Sequence, residues 1–189
     1  MGTGMKNKLD FIIRCGVQLE KYVGAGGEVI IPEGVRKIGD FAFRACKKLT
    51  GVVIPEGVTC MGWSVFEGCT QLTRVTLPVG VTEIGINTFS GCKNLEDITL
   101  PDSVTDISIR AFRDCARLTS VTLPRGIAVV NKGAFQGCAS LTDLTLPGEL
   151  TAIADDAFDD CPNLTLHAPR HSYAEQYARA HHIPFAATA

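Results

Sequence analysis

Four residue types recur in this sequence at one fixed interval, and that interval decides what the chain can fold into. Pro32, Pro55, Pro78, Pro101, Pro124 and Pro147 stand 23 residues apart. Phe43, Phe66, Phe89, Phe112, Phe135 and Phe158 keep the same spacing. So do the cysteines from Cys46 to Cys161 and the leucines from Leu49 to Leu164. Six units follow one another without insertion, at 29–51, 52–74, 75–97, 98–120, 121–143 and 144–166. A unit this short cannot bury its own apolar set. Stacking on its neighbours does so, and the result is a solenoid.

Each unit has a physical reading. In Val75-Thr-Leu77-Pro78 the apolar residues alternate with an outward threonine, the period of a strand. The proline ends the strand because it has no amide to donate. Val81 and Ile84 turn inward. Ile84 to Cys92 reads as a short helical or 3₁₀ segment with Thr88, Phe89 and Cys92 inside, and Leu95 leads into the next strand. Six strands at a spacing of about 4.8 Å give a parallel sheet about 29 Å long. The expected fold is an α/β solenoid, with a parallel sheet on the concave face and short helical segments opposite.

The ends need other chemistry, because a solenoid must cover its terminal coils. Residues 9–28 read as an N-terminal hairpin cap, and residues 1–8 as a leader, with Met5 as the natural start. Residues 167–189 form the C-terminal cap and tail. There Ser172-Tyr-Ala-Glu175 is a capping box that starts a helix, and Pro184 lies beyond its end.

The unit Val75-x-Leu-Pro-x-Gly-Val-x-x-Ile-Gly-x-x-x-Phe-x-Gly-Cys-x-x-Leu95 resembles the BspA-like leucine-rich repeat of bacterial proteins. Val17-x-Leu-x-Lys-Tyr22-x-Gly24 and Ser172-Tyr-Ala-Glu-Gln-Tyr-Ala178 look like that family's caps. The resemblance covers about residues 9–185. It implies a right-handed leucine-rich-repeat coil, often at the cell surface, that binds host or bacterial proteins. The pattern includes no catalytic residues, so the expectation is a non-catalytic binding or scaffolding module with no cofactor. The apolar run Leu9–Ile13 is too short for a signal-peptide core, which favours a cytoplasmic location and stands against the family's usual surface one.

Composition bears on partners. A net charge of −2 gives no reason to expect nucleic acid, and no stretch approaches the length of a membrane span. Six cysteines at one repeat position read as a column of small buried thiols, without the spacing of a metal site. Cys60 stands where other units have Lys37, Glu83 and Asp106, so it is expected to be exposed. The four histidines all fall in the C-terminal cap, and Pro169 makes His167 to His171 read as a loop. Unit 29–51 carries five basic and two acidic residues, a balance of +3. Unit 144–166 carries five acidic and no basic residues, a balance of −5. Its aspartates lack the ordered loop of a calcium site.

Where the repeat varies, two candidate surfaces appear. On the concave face Arg74, Asp97, Ser120 and Asp143 change from unit to unit beside the outward threonines Thr76, Thr99, Thr122 and Thr145. Variable positions on a regular scaffold suit a specific protein partner, although threonine also simply suits an exposed strand. On the other side one position reads Asp40, Trp63, Ile86, Ile109, Lys132, Asp155. With Phe41 it forms an apolar stripe rimmed by charge, the kind of patch that marks a protein contact or a homodimer.

Overall fold

A computed structural model describes residues 8–188. Residues 1–7, nearly all of the expected leader, and Ala189 lie outside it. Each sequence unit makes one coil, and successive coils are joined along three walls.

The concave wall is a parallel sheet in two parts. Gly27–Ile30, Leu49–Val53 and Arg74–Thr76 form the first. Ser120–Thr122, Asp143–Thr145, Thr165–Ala168 and Phe185–Ala187 form the second. The segment between them, residues 97–99 where the third coil passes into the fourth, pairs with neither neighbour. His167 lies on a strand of this wall, not in the loop that Pro169 predicts, because the sheet continues past the sixth coil. A second wall of two-residue strands runs along the flank. It is interrupted between Met61 and Glu83, and again between Ile107 and Val129.

The third, convex wall is continuous. Phe41 N–H donates to the Trp63 carbonyl at 2.9 Å, Phe43 N–H to Val65 at 2.9 Å and Ala45 N–H to Glu67 at 2.7 Å. The amides between them, of Ala42, Arg44 and Cys46, bond three residues back within their own coil. The pattern repeats at the next coils, through Phe66 to Thr88, Phe89 to Ala111, Phe112 to Ala134 and Phe135 to Ala157. The helical segments expected opposite the sheet are therefore runs of turns. A helix would keep its amides for itself, whereas here every second one is given to the next coil. Two left-handed residues in each of the first five coils make this geometry, as at Phe41 (φ 60°) and Ala45 (φ 57°), Ser64 (φ 51°) and Gly68 (φ 70°), or Arg110 (φ 55°) and Asp114 (φ 57°).

Inside the walls the phenylalanines stack face to face. Ring centroids are 5.1 Å apart for Phe43 and Phe66, 5.4 Å for Phe66 and Phe89, and 5.3 Å for Phe89 and Phe112. Both caps extend this column with a tyrosine. The antiparallel hairpin of β1 (Phe11–Arg14) and β2 (Gln18–Tyr22) places Tyr22 5.1 Å from Phe43. Helix α1 (Tyr173–Ala180) sets Tyr177 edge-on to Phe158 at 5.9 Å. The Ser172 hydroxyl accepts the Glu175 amide and starts that helix as its capping box predicts.

The cysteines do more than fill space. Each thiol from Cys69 onward donates to the phenylalanine carbonyl of the preceding coil, as Cys92 does to Phe66 at 3.2 Å and Cys115 to Phe89 at 3.2 Å. Cys60 is exposed, as its repeat position predicts.

Two substitutions test this packing in urea unfolding. Phe89→Ala removes a fully buried ring from the middle of the column and is expected to cost about 3–5 kcal/mol. The Thr88 hydroxyl is buried and has no hydrogen-bond partner among the described residues, where the second coil carries Val65. Thr88→Val is expected to raise stability by about 1 kcal/mol.

Candidate binding surfaces

The concave wall brings the sequence-predicted residues onto one face. Arg74, Thr76, Asp97, Thr99, Ser120, Thr122 and Asp143 are exposed, and Thr145 is half-buried. They are not equivalent, because the polar groups at the two ends are already engaged. The Arg74 guanidinium reaches back two coils to an ion pair with Glu28, and Gly51 between them places no side chain in its way. At the other end His167 Nε2 lies 2.7 Å from Asp143 Oδ1. The Thr142 hydroxyl, when it turns from the Thr119 carbonyl to the carboxylate, and then His167, hold the Asp143 carboxyl below its ordinary value.

The middle is different. Where residues 97–99 leave the sheet, a cleft of about 420 Å³ opens beside the fifth coil. Its floor is lined by Ile98, Leu100, Val121 and Leu123, all of them buried. Its rim carries Asp97, Asp102, Ser120 and Arg125, and among the described residues none of their side chains has a hydrogen bond or ion pair.

Asp102 and Arg125 escape a reading of the strands alone, because they follow the prolines that end them. Two breaks in the repeat mark the place. One column reads Thr50, Thr73, Glu96, Thr119, Thr142, Thr165. Its amides bond from coil to coil at 2.8–2.9 Å, except on either side of Glu96, where the distances are 3.3 and 3.4 Å. Thr73 and Thr142 add hydroxyl bonds to the carbonyls of Thr50 and Thr119. Glu96 has no hydroxyl to do the same, and its carboxylate pairs with Arg117 at 2.9 Å. The second break is Ser103, which stands where four other units have glycine and donates its hydroxyl to the Val81 carbonyl.

The apolar stripe follows the convex wall. Trp63 is 55 % exposed, Phe41 48 % and Ile109 40 %, whereas Ile86 is half-buried. Backbone bonds hold the register, with Ser64 N–H on the Ile86 carbonyl at 2.8 Å and Asn87 N–H on Ile109 at 3.1 Å. The Trp63 amide donates to Asp40 at 2.9 Å, and the Arg44 guanidinium lies 5.2 Å from the centre of the Phe41 ring. Among the described residues no group of three metal-ligating side chains comes together, and no helix is long and apolar enough to cross a membrane.

A coil of about two dozen residues, a parallel sheet on one side and a regular leucine position define a leucine-rich-repeat solenoid. The BspA type leucine rich repeat region matches residues 27–128, more than half of the chain, and the chain belongs to that family. Solved structures agree. A leucine-rich repeat protein from Bacteroides ovatus is 28 % identical with a TM-score of 0.66, over 84 % of this chain and 52 % of that one. A leucine rich cell surface protein from Faecalibacterium prausnitzii is 31 % identical with a TM-score of 0.69, over 89 % of this chain and 55 % of that one. The pneumococcal vaccine antigen PcpA, at 17 % identity and a TM-score of 0.79, shares the fold over 92 % of this chain and 45 % of its own. This chain thus spans about half the length of these relatives. Curated proteins give no match.

The Asp143 carboxyl offers a direct check of the concave geometry. By NMR titration it is expected to protonate below the ordinary aspartate value, and Thr142→Val or His167→Gln should move it back up. Because the native value is depressed, the pairing contributes stability above the unfolded-state value and loses it as pH falls through the native one. A normal value in the wild type would mean that the pairing does not persist in solution.

Proposed function

We propose that this chain is a non-catalytic protein-binding module whose concave wall receives an extended segment of a partner protein at the fourth and fifth coils. The observation that carries this reading is the unpaired segment at residues 97–99 beside the cleft. Backbone groups that leave a ladder need other partners, and an extended peptide supplies them along its length. The cleft gives such a peptide room for one side chain. Asp97, Asp102 and Arg125 give it charges of both signs to match. Among the described residues the clefts are open and shallow, a shape that suits an extended partner.

The test is capture by the tethered protein from extracts of bacterial and host-cell surfaces. A double variant, Asp97→Arg with Ser120→Arg, fills the cleft and is expected to lose the captured protein, while Trp63→Glu retains it. The opposite pattern would move binding to the convex stripe. We place the chain's site of action at the cell surface, by likeness to the Faecalibacterium prausnitzii protein. Protease treatment of intact producing cells should then degrade it.

A second reading, self-association, has its own observation in the adjacent exposed rings of Phe41 and Trp63. Aromatic side chains of this kind anchor protein interfaces. In sedimentation velocity, a wild-type dimer that becomes a monomer with Trp63→Glu supports it. Monomers in both cases sink it.

A further inference from the structure

The column of cysteines has an end that does not behave like the rest. Five thiols donate to a phenylalanine carbonyl in the coil before them, at 3.0 Å for Cys69 to Phe43 and 3.1 Å for Cys161 to Phe135. Cys46 has no such coil before it, because the β1–β2 hairpin occupies that place. Among the described residues its thiol donates to no carbonyl. It is half-buried and faces an open pocket of about 200 Å³ that also includes Gly24, Gly26, Lys47 and Lys48.

We propose that Cys46 and Cys69 form a thiol–disulfide switch at this end of the solenoid, and that its reactant is a small soluble disulfide. The two residues converge on one atom. The Phe43 carbonyl accepts the Cys46 amide at 3.1 Å and the Cys69 thiol at 3.0 Å. Equivalent backbone positions in adjacent coils that share ladder bonds stand about 4.8 Å apart, within the Cα separations a disulfide spans.

The environment fits the order of steps. When Cys46 ionises, the Cys69 proton can turn to its sulfur from the Phe43 carbonyl, and this hydrogen bond lowers the Cys46 thiol; burial opposes this, and the Lys21 ammonium lowers it further. Tyr22, whose own hydroxyl is pushed up by burial, is the other titratable neighbour. Cys69 is raised by the same hydrogen bond and by burial, so of the two thiols Cys46 loses its proton first.

The Cys46 thiolate attacks one sulfur of the reactant, forming a mixed disulfide and expelling one thiolate. Cys46 is then neutral and no longer opposes ionisation of Cys69. Cys69 gives up its proton and attacks the Cys46 sulfur, expelling the second thiolate. The protons of Cys46 and Cys69 end on the two leaving thiols. Two cysteine thiols are oxidised to one disulfide, and the reactant is reduced to two thiols. Cys161 at the far end is also half-buried and lowered by its neighbour Cys138. Its thiol, however, is tied to Phe135, and Asp159 and Asp160 oppose its ionisation.

The experiment treats the full chain with 2-hydroxyethyl disulfide and maps the products by peptide mass. The wild type is expected to gain a Cys46–Cys69 cross-link, with the loss of two hydrogen atoms. Cys69→Ser keeps a donor for the Phe43 carbonyl and is expected to stop at the mixed disulfide on Cys46. In iodoacetamide labelling at pH 7, Cys46 should react on the order of tenfold faster than Cys161, and Cys69→Ala should narrow that ratio. A wild type that accumulates the mixed disulfide without cross-linking overturns the switch. So does a Cys46 that labels no faster than Cys161.

Discussion

Everything in this molecule depends on the alternate donation of amides along the convex wall. Each coil gives every second N–H in its turns to the coil above, and keeps the others for itself. The arrangement holds only if equivalent residues lie side by side in every coil. That is the physical reason for a period of 23 residues without insertion. One extra residue would move an outward donor into the coil and leave a carbonyl above it unpaired. The phenylalanine column and the thiol–carbonyl bonds share the same register, so three kinds of contact enforce one spacing.

Because the convex wall is continuous, the other two can relax. The flank is interrupted twice and the concave sheet parts at the fourth coil, yet the aromatic rings there keep their 5.3 Å spacing. The caps follow the same logic. Tyr22 and Tyr177 continue the ring column into elements of different secondary structure, so each end is closed by the interaction that runs through the middle. Their hydroxyls find backbone partners, Tyr22 accepting from Gly26 and Tyr177 donating to Ala154.

Much of this was legible in the sequence, because solenoid contacts join equivalent positions and a repeat displays those positions directly. The in-and-out pattern of Val75, Thr76 and Leu77 translates into burial and exposure nearly one for one. The exposure of Trp63 and of most of the concave residues could be read the same way. The hydrogen bonding could not. Asp97-Ile98-Thr99-Leu100 alternates as cleanly as any other strand, since alternation reports which side a residue faces and not whether its amide has a partner. The convex turns were misread as helix for a related reason: helix and turns place Phe89 and Cys92 inward alike, and only the destination of the amides separates them. Glu96 and Ser103 carried the missing information as two departures from otherwise uniform columns.

The parting of the concave sheet has a mechanical meaning. A stack fastened along its back does not need every rung joined in front. At the fourth coil the task of keeping register passes to the convex amides, the ring column and the long bonds on either side of Glu96. The two joined halves of the inner surface, the Glu28–Arg74 end and the Asp143–His167 end, are thus held to each other from behind.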